Sequence, residues 1–237
     1  MHLSDFRVLT FDCYGTLIDW ESGLWSALRP LAERSGIRRE PALAAFAEIE
    51  TAQERETPDM RYTQLLQHVF VRLAQVWGRQ STEAEAKRFA ESVADWPAFP
   101  DSTEALGRLS ARYRLVILSN ADRRGIAASV RKLGVRFDAI LTAEDIGSYK
   151  PNPRNFAALI SKMEAMGFAK RDILHTAQSL FHDHAPAQAT GLASCWIDRR
   201  AGLEGWGATT PSPGGVRWEF RFTSLAEMAN AVEQEAG

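Results

Sequence analysis

Several polar side chains in this sequence are spaced to do nucleophilic chemistry together, because each group of them follows a short apolar run. Asp12 ends the run that opens FRVLTFDCYGTLIDW, and Thr16 stands four residues on. Ser119 and Asn120 end LVILSN, and Lys150 lies in GSYKPNP. Gln178, Ser179, His182, Asp183 and His184 follow ILHTA. A carboxylate can attack carbon or phosphorus, and an ammonium beside it keeps it anionic; at about 4 Å the preference is roughly 4 kcal/mol for an effective dielectric near 20. A hydroxyl and an amide can aim one carboxylate oxygen and leave the other free to attack. A second acid flanked by imidazoles can orient a water and take its proton near neutral pH. Singly, these residues read as a turn, a solvated loop lysine and a helix start. Their recurrence at the ends of four strand-like segments argues for one site.

The segments that must position them alternate in type. Phe6 to Phe11, Leu115 to Leu118, Ala139 to Thr142, Ile173 to Ala177 and Ser194 to Ile197 have the apolar, β-branched content of buried strands, with Trp218 to Phe222 as an edge strand. Helical spacing separates them over Arg123 to Leu133 and Pro153 to Met166, and a last helix is expected after Ser224, which with Glu227 reads as a capping box. This alternation predicts an α/β fold, a parallel sheet with helices on both faces and Phe6 to Phe11 near its centre. The carboxyl ends of parallel strands face the ligand crevice, which is where all the polar groups fall.

Between Trp20 and Trp96 no strand pattern appears. Leu24, Leu28 and Leu31, then Phe46 and Ile49, then Leu65, Leu66, Val69, Phe70 and Leu73 are spaced as in helices, and Pro41, Pro58, Gly78 and Ser81 divide the stretch into about four. The expected organisation is therefore a core domain from residues 1–17 and 97–237 and a helical cap domain from residues 18–96. WPAFPDS closes the insertion, with Asp101 or Ser102 expected to cap the next helix.

Composition limits the function classes. The 237 residues are 45% hydrophobic with a net charge of −2 and scattered Lys and Arg, so neither nucleic acid nor an anionic membrane surface is an expected partner. Cys13 and Cys195 sit in apolar runs, as reduced thiols of a cytoplasmic protein do, and no run reaches the roughly 18 apolar residues of a membrane span. The expected partner is a small-molecule substrate, and a homodimer is left open.

The order and spacing of FDCYGTL, LVILSN, YKPNP and AQSLFHDHAPAQATG resemble the haloacid dehalogenase superfamily, which implies a Rossmann-like core with a helical cap inserted after the first strand. By position, the resemblance implies Asp12 as nucleophile, Thr16 as the residue orienting it, Ser119 and Asn120 as the second motif, Lys150 as the lysine of the third and Asp183 as an acid of the fourth. Most such proteins are Mg²⁺-dependent phosphatases that carry further acids where this chain has Tyr14 and Gln178. A phenol with a pKa near ~10 is a poor proton shuttle, and Gln178 removes a hard anionic ligand. Tyr14 instead resembles the type II 2-haloacid dehalogenases, which need no cofactor.

That resemblance implies attack by Asp12 on the halogen-bearing carbon of a small 2-haloalkanoic acid, an aspartyl ester, and hydrolysis to a 2-hydroxy acid with Asp183 orienting the water, helped by His182 or His184. Cys13, Tyr14, Trp20, Gln178, Ser179 and Phe156 are expected to line the substrate pocket. Arg55 and Arg61 are the nearest candidates for the cap arginine that binds the substrate carboxylate in that group. The alternatives are a phosphatase, which would bring Mg²⁺, and a non-catalytic binding protein on the same scaffold.

Overall fold

The computed structural model describes residues 1–235. Its sheet has six parallel strands, β1 (Val8–Phe11), β2 (Arg114–Ser119), β3 (Ala139–Thr142), β4 (Ile173–Ala177), β5 (Ala193–Ile197) and β6 (Phe220–Phe222), in the order β3-β2-β1-β4-β5-β6. β1 is central, pairing with β2 through Leu9↔Leu115 and with β4 through Leu9↔Leu174. The chain runs outward from it in both directions, so the crevice of this topology opens at the carboxyl end of β1, where Asp12 stands.

Period-two alternation divides the apolar side chains between the two faces of the sheet. Leu9, Phe11, Leu115 and Ile117 join one buried cluster, while Val8, Val116 and Leu118 join another. The larger cluster takes in helices α1 (Trp20–Arg34), α2 (Arg39–Glu56), α3 (Tyr62–Val76), α4 (Glu83–Glu91), α5 (Ser102–Ser110) and α6 (Arg123–Leu133). The short α7 (Ala143–Ile146) follows β3, α8 (Pro153–Ala165) and α9 (Ala185–Thr190) contribute to the second cluster, and α10 (Leu225–Gln234) returns to the first. The four helices between β1 and α5 form the helical insert. Among the described residues no helix is long and apolar enough to cross a membrane.

Two caps differ from expectation for the same reason, competition for a carboxylate. Asp101 precedes α5 but makes no side-chain cap there. Both its oxygens accept from Arg199 Nη1 at 2.9 Å, and Oδ2 also accepts from the first backbone N–H groups of α10, Leu225 at 2.7 Å and Ala226 at 3.1 Å. The Ser102 hydroxyl likewise donates to the Leu17 carbonyl at 2.7 Å. At α10 the Ser224 hydroxyl accepts from Glu227 N–H as expected, but the Glu227 carboxylate reaches Thr223 instead of closing the box on Ser224.

Candidate active site

Asp12 leaves β1 with its N–H still donating to Thr176 of β4, which fixes the backbone of the residue that carries the carboxylate. The chain then turns at Gly15, whose φ of +95° suits glycine, and a Cβ there would lie 2.9 Å from Trp20 Nε1. The turn brings the Thr16 hydroxyl onto Asp12 Oδ2 at 2.8 Å, while Thr16 Oγ1 also accepts from Gln178 N–H at 2.9 Å. On the other side Lys150 Nζ donates to Asp12 Oδ1 at 2.9 Å, Asp183 Oδ1 at 2.7 Å and the Leu118 carbonyl at 3.1 Å. All three ammonium hydrogens are thereby engaged. Asn120 clamps the lysine by its backbone, its Oδ1 accepting from Lys150 N–H and its amide donating to the Lys150 carbonyl.

Behind Asp183 stands a residue absent from the expected set, His175. Its Nε2 lies 2.9 Å from Asp183 Oδ1 and its Nδ1 lies 2.9 Å from the hydroxyl of Thr10, its register partner on β1. The arrangement has Thr10 donating to Nδ1 and Nε2–H donating to the carboxylate. This explains why two acids that share one lysine differ. Burial works against the Asp183 anion, but Lys150 and His175 outweigh it and hold the carboxyl well below the usual range. Asp12 lacks the histidine; burial and the Asp183 charge raise it above its ordinary value despite Lys150 and Thr16. Burial alone would lower Lys150, yet the two carboxylates raise it, so the ammonium is firmly charged.

Asp12, Tyr14, Trp20, Ser119, Asn120, Lys150, Gln178, Ser179, His182 and Asp183 line a single cavity of about 60 Å³. The Ser119 hydroxyl and Asp183 Oδ2 are buried in its wall without a hydrogen-bond partner among the described residues. Tyr14 presents its ring and not its acid: the hydroxyl meets Ser129 Oγ at 3.3 Å, the ring stacks on Tyr62, and burial holds the phenol well above its ordinary pKa. Gly125 packs close behind it; a Cβ there would approach the Tyr14 hydroxyl to 3.0 Å. The Gln178 side chain is tied to Thr209 at 3.2 Å. His182 Nδ1 lies 3.3 Å from Ser179 Oγ, in the irregular turn that presents Asp183.

Five expected residues are elsewhere. Cys13 is fully buried in the larger apolar cluster, because it alternates with Asp12 at the end of β1, and its thiol is raised by burial. Phe156 is fully buried under the sheet, packed edge-on against His175 with ring centroids 5.1 Å apart. His184 turns inward to Ser194 Oγ and the Ala177 carbonyl, and burial lowers its pKa to about 4. Arg55 is exposed on the outer side of α2. Arg61 is exposed too, pairing with Glu144 at 3.2 Å. In their place the insert brings Glu50, Glu54 and Tyr62 to the cavity, beside Trp20. The signal for the glutamates was helical spacing: Glu50 stands four residues after Phe46 on the buried face of α2, and Glu54 four after Glu50.

The chain belongs to the haloacid dehalogenase-like hydrolases, whose family model matches residues 6–175. It is 30% identical over 147 residues to an (S)-2-haloacid dehalogenase of Pseudomonas sp. (strain YL), a match covering 61% of this chain and 58% of that relative's length. It is 27% identical over 212 residues to the human haloacid dehalogenase-like hydrolase domain-containing protein 3, covering 81% and 82% of the two chains. The L-2-haloacid dehalogenase of Xanthobacter autotrophicus, solved with chloropropionic acid covalently bound, superposes with a TM-score of 0.76 at 17% identity over 96% of this chain and 98% of that one.

Proposed function

We propose that this hydrolase displaces halide from a small haloalkyl substrate by way of an ester on Asp12. The observation that carries the reading is the seating of Asp12: buried in a cavity wall, gripped on one oxygen by Thr16 and on the other by a fully engaged Lys150, with a phenol ring where a proton-donating carboxyl would serve a phosphatase. The partial match to the Pseudomonas (S)-2-haloacid dehalogenase supports the same chemistry.

In the first step an Asp12 oxygen forms a bond to the carbon as the carbon–halogen bond breaks, and halide leaves with the electron pair. Lys150 and Thr16 hold the carboxylate in line, and the small cavity limits competing water. In the second step water adds to the Asp12 carboxyl carbon. Asp183 Oδ2, buried and without a partner among the described residues, orients that water and passes its proton to the departing alkoxide oxygen. The remaining proton is released as Asp12 ionises again. His175 and Lys150 keep Asp183 charged for this task.

Magnesium does not fit these residues. The Lys150 ammonium already bonds Asp12 Oδ1 and Asp183 Oδ1, so one cation of the protein itself answers both acids. The Gln178 side chain is turned to Thr209, and among the described residues no three His, Cys, Asp or Glu side chains are grouped to hold a metal.

The test is turnover on a panel of small haloalkyl compounds and phosphate esters with and without EDTA. Halide release that persists in EDTA is the expected result. Phosphate release that returns only with added Mg²⁺ would overturn the reading. The sequence resemblance pointed to a 2-haloalkanoic acid giving a 2-hydroxy acid, but neither arginine considered for its carboxylate reaches the cavity.

A further inference from the structure

The insert's contribution to the cavity is acidic. Glu50 and Glu54 lie one turn apart on α2, each only 7% exposed. Their protein partners are neutral donors: the Tyr62 hydroxyl donates to Glu50 at 2.6 Å and the Asn120 amide donates to Glu54 at 3.0 Å, while His182 Nε2 stands 3.7 Å from Glu54. Lys150 has no hydrogen left to offer them, and among the described residues no other lysine or arginine lines the cavity. Burial and the neighbouring Glu54 push the Glu50 carboxyl well above its ordinary pKa. Buried acids of this kind are costly unless a proton or a cation neutralises them.

The same cavity carries the unpartnered Ser119 hydroxyl and Asp183 Oδ2, each at least nine-tenths buried, which marks it as a place for a polar ligand. Its volume of about 60 Å³ is far below the roughly 300–1,000 Å³ of sites for drug-sized molecules, so the ligand has only a few heavy atoms. A carboxylate entering here meets two further acids, and like charges brought together at a binding surface repel one another.

We propose that Glu50 and Glu54 select a small substrate carrying a protonated amine, seated against the two glutamates while the carbon bearing the halogen faces Asp12. This rests on the Asp12 ester reading for its chemistry but not for its recognition. The bonds made and broken are those already described: Asp12 oxygen to carbon as halide departs, then water to the Asp12 carboxyl carbon as the alcohol departs. The ammonium is a handle that keeps its proton, and the product is an amino alcohol.

The test uses the full-length protein and matched probes. Binding of propylammonium and propionate is followed by calorimetry and thermal shift, and halide release is followed from 3-chloropropylamine, 3-chloropropionate and 2-chloropropionate. The expected result is propylammonium binding at least roughly tenfold tighter than propionate, falling roughly tenfold in Glu54→Gln and in Glu50→Gln. Propionate binding as tightly, neither ion binding, or ammonium affinity unchanged in both variants would each overturn the proposal. Should a variant fail to fold, the contrast between the two ions in the unaltered protein decides. Ammonium binding without halide release from any probe would remove the ester chemistry and leave the recognition intact. Halide release from the chloro acids alone would do the reverse.

Discussion

The two walls of the cavity are built on opposite electrostatic plans. On the sheet side each charged group is answered: Asp12 and Asp183 by Lys150, Lys150 by both acids and a carbonyl, and Asp183 again by His175 and through it by Thr10. On the insert side Glu50 and Glu54 accept from the Tyr62 hydroxyl and the Asn120 amide, with His182 Nε2 3.7 Å from Glu54 and, among the described residues, no arginine or further lysine in the cavity lining. A closed network at the reacting end keeps the geometry of one bond-making step, and it leaves little freedom for recognising different substrates. An open electrostatic account at the other end is completed by what binds. On the proposed reading, reaction type is a property of the strand ends, and substrate choice a property of the inserted helices.

The comparison is broken most severely by removing the nucleophile from the sheet side. Asp12→Asn is expected to lower turnover by on the order of 10⁴-fold, since an amide is a far weaker nucleophile. In a single turnover in ¹⁸O-water with enzyme in excess, mass spectrometry should find the heavy oxygen in the Asp12 side chain. Heavy oxygen appearing first in the product would make Asp12 a base for direct water attack.

Opening the closed network itself should cost stability as well as activity. Lys150→Met leaves two buried acids without their cation, and a loss of about 3–5 kcal/mol is expected in denaturant unfolding. A variant as stable as the parent would show that the acids are neutral in the folded protein.

A third expectation concerns pH. Asp12 is raised by burial, so activity should fall with decreasing pH at a value above the ordinary carboxylate pKa of about 3.9 and be fully present above it. His184 shapes stability instead. Its folded pKa of about 4 lies below its ordinary 6.5, so the neutral form is favoured by folding. The stabilisation is present above about 6.5 and is lost as pH falls toward 4, on the order of 3 kcal/mol in all. Unfolding measured across this window should show the slope, and His184→Gln should flatten it.

The smallest effect sharpens the contrast from outside the cavity. Arg55→Ala and Arg61→Ala should leave KM for any charged substrate within about twofold, because surface side chains away from the site contribute little. A large rise in KM for an acid in either variant would mean that the insert swings an arginine inward when substrate binds.

How much could be read from the chain alone depended on whether local spacing carried the information. Asp12 and Ser119 stand at the ends of β1 and β2, and Lys150 and Asp183 lie in the segments that follow β3 and β4; the apolar runs of those strands announce themselves, and parallel topology then brings their ends together. Strand periodicity also contained the position of Cys13, which faces away from Asp12 into the larger cluster. His175 was hidden because it sits inside an apolar strand, where an imidazole reads as core; its role depends on Thr10 opposite and Asp183 beyond. Phe156 was misplaced because closeness to Lys150 in sequence says nothing of helix phase, and α8 turns that ring under the sheet. Glu50 and Glu54 were visible as acids on the apolar face of a helix.

Arg199 completes the loop after Asp12 from 183 residues away, its guanidinium donating to the Thr16 carbonyl at 3.1 and 2.9 Å while Asp101 holds it from behind. In the order of synthesis the loop after Asp12 leaves the ribosome well before the residue that braces it. Both neighbours of β1 also come later, β2 by about a hundred residues and β4 by still more. At roughly 5–20 residues per second, the nucleophile's loop waits on the order of ten to forty seconds for the residue that braces it. A nascent chain therefore carries Asp12 long before it carries the brace that finishes the loop around it.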